Sequence, residues 1–179
     1  MKNVVQRVNV LGQSIWYDNI SRGLIESGEL QKLIDLGVVG LTSNPTIFQK
    51  AISGSSDYDD ALLSLAEQGK PPAEIFEILS MNDIRDAADM LASTYKNTGG
   101  VDGYVSLEVN PHFANDISST ISEAEKLFHQ LNKPNVMIKV PATDKGIDCV
   151  EYLISKGINV NITLIFSLKK YKKVRNAYI

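Results

Sequence analysis

The sequence predicts an α/β chain of successive strand-helix units around a parallel sheet. Two observations carry that reading. Polarity switches repeatedly between short β-branched runs and longer segments of helical period, the pattern of β-α units. The short runs are also apolar enough to be buried on both faces, as strands are when helices cover a parallel sheet. With 179 residues, 44% hydrophobic and 22% charged, the chain has material for one core and reads as a single domain over 1–179.

Five runs qualify as strands: 14–17, 38–42, 103–109, 136–140 and 159–165. The helices between them follow from period and punctuation. Residues 28–36 read as a helix closed by Gly37. The stretch 45–69 is broken at Ser53-Gly54-Ser55-Ser56 into two helical pieces, and Pro71-Pro72 opens a third, so an all-helical insertion follows the second strand. Residues 82–96 place Ile84, Ala87, Ala88, Leu91 and Tyr95 on one face before Gly99-Gly100. Residues 115–131 do the same with Ile117, Ile121, Ala124, Leu127, Phe128 and Leu131, ahead of Pro134. Residues 145–156 repeat it with Ile147, Val150, Leu153 and Ile154, and Gly157 as the stop. No low-complexity linker and no repeat beyond the βα unit argues for a domain boundary.

Composition narrows the function. Lys+Arg 18 against Asp+Glu 21 gives a net charge of −3, with no basic stripe interleaved with aromatics, so nucleic-acid binding is not expected. The one basic run, Lys169-Lys170-Tyr171-Lys172-Lys173, is expected to be a solvated helix face. The single cysteine, Cys149, excludes an internal disulfide and multi-thiolate metal sites, and reads as a small buried residue. The start, Met1-Lys2-Asn3-Val4-Val5-Gln6-Arg7, has no apolar export region, and no apolar run approaches a bilayer span. A cytoplasmic location is therefore expected, with no membrane partner.

Active sites of parallel α/β proteins lie at the C-terminal ends of strands. Those ends carry Asp18-Asn19, Thr42-Ser43-Asn44, Glu108 and Asn110, Lys139, and Asn161 with Thr163. Asp18 and Asn44 could simply cap the helices that follow. Lys139 lies inside Val136-Met137-Ile138-Lys139-Val140-Pro141, where burying the strand buries the ammonium too, and lysine is almost never buried without a partner. Two readings stand side by side. A desolvated lysine is a nucleophile able to form a Schiff base with a carbonyl; equally, it could form a structural ion pair with Glu108 or Asp18. The gathering of an amine, carboxylates, amides and a hydroxyl favours chemistry. His112 and His129 are expected at the surface, and Trp16 and Tyr17 in packing.

Five segments taken together resemble the transaldolases: Gly12-Gln13-Ser14-Ile15-Trp16-Tyr17-Asp18-Asn19, Leu41-Thr42-Ser43-Asn44-Pro45-Thr46-Ile47-Phe48, Val105-Ser106-Leu107-Glu108-Val109, Met137-Ile138-Lys139-Val140-Pro141-Ala142-Thr143 and Asn159-Val160-Asn161-Ile162-Thr163-Leu164-Ile165-Phe166-Ser167. The resemblance runs from near Gly12 to the end. It implies a TIM (β/α)₈ barrel of the class I aldolase type, incomplete here with about five parallel strands, and no metal or organic cofactor. It implies that Lys139 attacks a ketose carbonyl, that Asp18 handles the sugar hydroxyl proton during carbon–carbon cleavage, and that Glu108 moves protons through a water shared with Thr163. Asn44 and Asn161 would bind hydroxyls of the donor fragment. The implied reaction transfers dihydroxyacetone from sedoheptulose 7-phosphate or fructose 6-phosphate to an aldose phosphate, in the pentose phosphate pathway.

Length departs from the resemblance, since a full barrel takes about 250 residues. Three strands, a further hydroxyl-binding serine and the phosphate-binding arginine would lie beyond Ile179. A fragment of a longer product, a partner-completed barrel, an inactive partial barrel and another Schiff-base aldolase are the alternatives, and open barrel edges would favour self-association.

Overall fold

The computed structural model describes residues 2–179, and these fold into two compact units, one up to Val105 and one from Ser106 to Ile179. The boundary falls inside the third strand. The strands follow one another in the sheet in chain order, β1-β2-β3-β4-β5, five parallel strands alternating with helices as the sequence predicts.

The first unit opens with α1 (Val4–Val10), β1 (Trp16–Tyr17), α2 (Arg22–Glu26), α3 (Glu29–Leu36) and β2 (Gly40–Thr42). Helix α1 is a helix the pattern of strands did not reveal. It is nucleated by a capping box in which Asn3 and Gln6 exchange hydrogen bonds. Its amides then serve α3: Asn3, Gln6 and Asn9 donate to the carbonyls of Leu36, Asp35 and Gly37, groups that a helix C-terminus leaves without internal partners. Strands β1 and β2 pair in parallel, with Trp16 beside Gly40 and Tyr17 beside Leu41. The Trp16 indole packs where a side chain on Gly40 would stand, the packing role expected of it.

The helical insertion consists of α4 (Pro45–Gly54), a 3₁₀ turn at Ser56–Tyr58, α5 (Asp59–Glu67) and the long α6 (Pro72–Asn97). The serine-glycine break falls where the sequence puts it. Residues 82–96 are only the second half of α6, which starts at Pro72 because proline is suited to a helix's first turn. Tyr58, Ile75 and Leu79 form a small core here, packed by Ala51, Ile52, Ala61, Leu62 and Leu65.

Strand β3 (Tyr104–Glu108) leads to the second unit, with α7 (Ile117–Leu131), β4 (Val136–Pro141), α8 (Asp144–Ser155), β5 (Val160–Thr163) and α9 (Leu168–Tyr178). Ala124, Leu127 and Leu131 of α7, and Ile147, Val150 and Leu153 of α8, are the buried positions their helical periods predict. Asp116 and Thr143 cap the two helices through the N–H groups of Ser119 and Gly146.

Two expectations are corrected. Strand β5 is only half-buried throughout, not buried on both faces, because it is the last strand of the order and only β4 pairs with it in the sheet. The basic run is not merely solvated: Lys170 donates to the Ala142 carbonyl and to Asp144, and Lys173 donates to the same carboxylate. These bonds tie α9 to the first turn of α8. Among the described residues, no helix is long and apolar enough to cross a membrane.

Candidate functional site

Strand alternation builds the site in the second unit. β4 and β5 pair in parallel with Lys139 beside Asn161 and Pro141 beside Thr163. Register partners share a face and side chains alternate, so Lys139, Asn161 and Thr163 point to one side while Ile138, Val140, Val160 and Ile162 point to the other. The apolar side meets helices. On the polar side, Glu108 of β3 reaches Lys139, with Oε2 3.4 Å from Nζ. Two residues earlier on the same strand face, the Ser106 hydroxyl accepts a hydrogen bond of 3.1 Å from the Asn161 side-chain amide. Glu108, Lys139, Asn161 and Ser106 therefore form one polar group, with Thr163 on the same face two residues beyond Asn161.

Lys139 is 8% exposed, in a strand whose other residues, Val136, Met137, Ile138, Val140 and Pro141, are apolar. The ion pair with Glu108 anticipated as one of two readings is present, while its side chains retain 10% and 14% exposure. Strand β4 is held along its length: the Val109 N–H donates to the Lys139 carbonyl, and the N–H groups of Ile138 and Ala142 donate to the carbonyls of Asn159 and Thr163. The lysine thus rises from a strand whose backbone is hydrogen-bonded to both neighbouring strands.

Just past the lysine the chain turns into α8. The Thr143 hydroxyl accepts the Gly146 N–H at 2.8 Å and donates to the Ala114 carbonyl. A side-chain carbon at Gly146 would collide with the Pro141 carbonyl, so only glycine lets the helix begin this close to the strand end.

In the first unit, Asp18 lies exposed just past β1, ahead of Ser21, whose hydroxyl caps α2. Asp18 itself caps nothing there. Asn44 does cap: its Oδ1 accepts the Ile47 N–H at 2.9 Å, which is the structural role foreseen for it. His112 and His129 are exposed as expected. Cys149 is fully buried, and burial first, then Asp148 and Asp116, push its thiol up to about 11; such a thiol is inert at neutral pH. Among the described residues, no group of three or more histidine, cysteine or carboxylate side chains is arranged to hold a metal ion.

Two polar features escaped sequence reasoning. Ser106 is one; its signal is a serine in an apolar strand at two-residue spacing from Glu108. The other is a buried cluster of Arg22, Tyr58 and Asp83 in the first unit. The Tyr58 hydroxyl donates to Asp83 at 2.7 Å and accepts the Arg22 backbone N–H at 2.8 Å. Arg22 Nε and Nη2 both donate to Asp83 Oδ1, at 3.3 and 3.2 Å. Burial, outweighing these bonds, holds the Asp83 carboxyl above its ordinary value, and burial with the Asp83 contact raises the Tyr58 phenol.

Five parallel strands in chain order, alternating with helices, are the architecture of the (β/α)-barrel class. Comparison with known proteins makes this particular. Residues 15–178 match the family model described as Transaldolase/Fructose-6-phosphate aldolase. A transaldolase of Neisseria gonorrhoeae is 46% identical over 98% of this chain and 50% of its own length. One of Trichodesmium erythraeum is 47% identical over 99% of the chain and 47% of its own length. A protein named transaldolase 2 from Streptomyces coelicolor is 46% identical over 100% of the chain and 48% of its own length. The chain belongs to the transaldolase/fructose-6-phosphate aldolase family, with the α/β architecture of an incomplete barrel. It spans about half the length of the curated relatives it matches.

Proposed function

We propose that the chain carries the Schiff-base part of a transaldolase site, with Lys139 as the nucleophile. The observation that supports this best is the nearly buried Lys139 amine 3.4 Å from Glu108, on the strand face that also bears Asn161 and Thr163. In its neutral form the amine adds to the C2 carbonyl of a ketose phosphate, sedoheptulose 7-phosphate or fructose 6-phosphate. Glu108, through a water shared with Thr163, delivers the proton with which the carbinolamine loses water to become an iminium ion. Asp18 takes the C4 hydroxyl proton as the C3–C4 bond breaks. An aldose phosphate leaves, and the dihydroxyacetone unit stays on Lys139 as an enamine. Attack of the enamine on a second aldose phosphate, followed by hydrolysis, completes the transfer. Asn161, and Asn44 through the amide nitrogen that its capping oxygen leaves over, bind hydroxyls of the donor. No step calls for a metal or an organic cofactor. The reaction belongs to the pentose phosphate pathway, in the cytoplasm.

Residues 1–179 are proposed to act as one partial barrel domain whose open sheet edges favour self-association, and whose turnover depends on phosphate-binding groups supplied from elsewhere. Light scattering and a thermal melt test this; a monodisperse monomer would contradict the self-association. The test of the chemistry is borohydride reduction in the presence of fructose 6-phosphate, followed by peptide mass spectrometry. A dihydroxyacetone-derived adduct on the Lys139 peptide, absent from Lys139→Ala, is the expected result. A folded chain with no adduct would leave Lys139 and Glu108 as a structural ion pair.

A further inference from the structure

We infer that Ser106 is a positioning residue for this chemistry, holding the Asn161 side-chain amide in place beside Lys139; the inference rests on the Schiff-base reading. Asn161 stands beside Lys139 in the strand register. The last torsion of an asparagine side chain is broad, so without a partner its amide sweeps a range of directions. Ser106 narrows that range. Its hydroxyl is wholly buried, and it accepts the Asn161 Nδ2–H at 3.1 Å. Held there, the amide keeps its remaining N–H and its oxygen in a fixed direction for a donor-fragment hydroxyl.

The bond also has reach. β3 and β5 both flank β4 in the strand order, so the Ser106–Asn161 bridge crosses the strand that carries the lysine. Glu108, two residues on from Ser106, meets the Lys139 amine itself. Strand β3 thus supplies one side chain that exchanges protons with the nucleophile and one that orients its neighbour.

The chain of 179 residues, labelled with nitrogen-15, tests this in two readouts. The Asn161 side-chain amide, assigned by its disappearance in Asn161→Ala, is expected to exchange its protons slowly, and at least about tenfold faster in Ser106→Ala, as loss of one buried hydrogen bond implies. Borohydride trapping of fructose 6-phosphate on Lys139 is expected to slow by about tenfold in the same variant. Ser106→Thr, which keeps the hydroxyl, should restore the slow amide exchange and much of the trapping rate. Because Ser106 acts through Asn161, the double variant Ser106→Ala/Asn161→Ala should trap no more slowly than Asn161→Ala alone. Unchanged amide exchange in Ser106→Ala, or additive effects in the double variant, would overturn the inference and leave the lysine chemistry standing. No adduct in the unsubstituted chain would overturn the Schiff-base reading and this inference with it.

Discussion

Each unit of the chain encloses a carboxylate and a cation, and the two pairs are built for opposite ends. In the first unit Asp83 is wholly buried and Arg22 is 18% exposed. The guanidinium forks onto the carboxylate, the Tyr58 hydroxyl adds a third bond, and the Arg22 guanidinium lies 4.5 Å over the Tyr58 ring. In the second unit Lys139 offers Glu108 a compact point charge, both side chains retain some exposure, and the whole sits on a strand face with amide and hydroxyl groups around it. Arginine in a fork cannot give up its proton, whereas a lysine can. The contrast separates a cation that stays charged from one able to become a neutral amine, a difference that burial alone does not reveal.

The sharpest way to break this comparison is to exchange the roles. Lys139→Met should abolish the trapped adduct completely while the folded state survives; an adduct elsewhere in the peptide map would move the nucleophile. Asp83→Ala should leave adduct chemistry intact in the folded fraction and cost roughly 3–5 kcal/mol in urea unfolding, because it strands the Arg22 charge. A cost under about 1 kcal/mol would mean that the cluster fastens nothing. Tyr58→Phe keeps the ring and deletes the hydroxyl, so Asp83 loses a donor and the Arg22 N–H an acceptor, for about 1–3 kcal/mol by the same measurement. Asn44→Ala should cost about 1 kcal/mol through loss of the α4 cap.

The smallest effect is in pH, where the units have opposite signs. Asp83 is held above its ordinary value of 3.8, so the folded state binds a proton the unfolded chain releases. Its contribution is fully present below that value and is lost as pH rises through the raised one. Asp144 is held below 3.8 by the Lys173 and Lys170 hydrogen bonds; its contribution is present above that value and fades as pH falls through the lowered one. Thermal melts between about pH 3 and 7 should therefore show Asp83→Asn removing a decline toward neutral pH and Asp144→Asn removing a decline toward acid. The same slope in both variants would contradict the assignment.

How much of this could be read in the sequence follows from the range of each interaction. Helices α3, α7 and α8 were legible because their stop signals, and for α7 and α8 their period, lie within or just past each helix's own stretch of chain. Four of the five strands came out longer than observed, as at 159–165 against Val160–Thr163, because an apolar run continues past the end of the strand; the fourth, read as 136–140, is one residue longer, Val136–Pro141. Helix α1 had its signal in Asn3 and Gln6, in a stretch to which the sequence reading assigned no element. Lys139 and Glu108 stood out as charges in apolar strands. Ser106 did not, since a serine in a core needs no explanation until its partner, 55 residues away, is known. Arg22, Tyr58 and Asp83 are likewise joined only by the tertiary fold.

One small absence governs the neighbourhood of the lysine. Gly146 leaves no room for even a methyl group against the Pro141 carbonyl. In a saturation library this position, seven residues beyond Lys139 and remote from any proton transfer, should tolerate as little as the lysine itself. Alanine there would have to push α8 off the strand, and β4 would carry its amine to a different address.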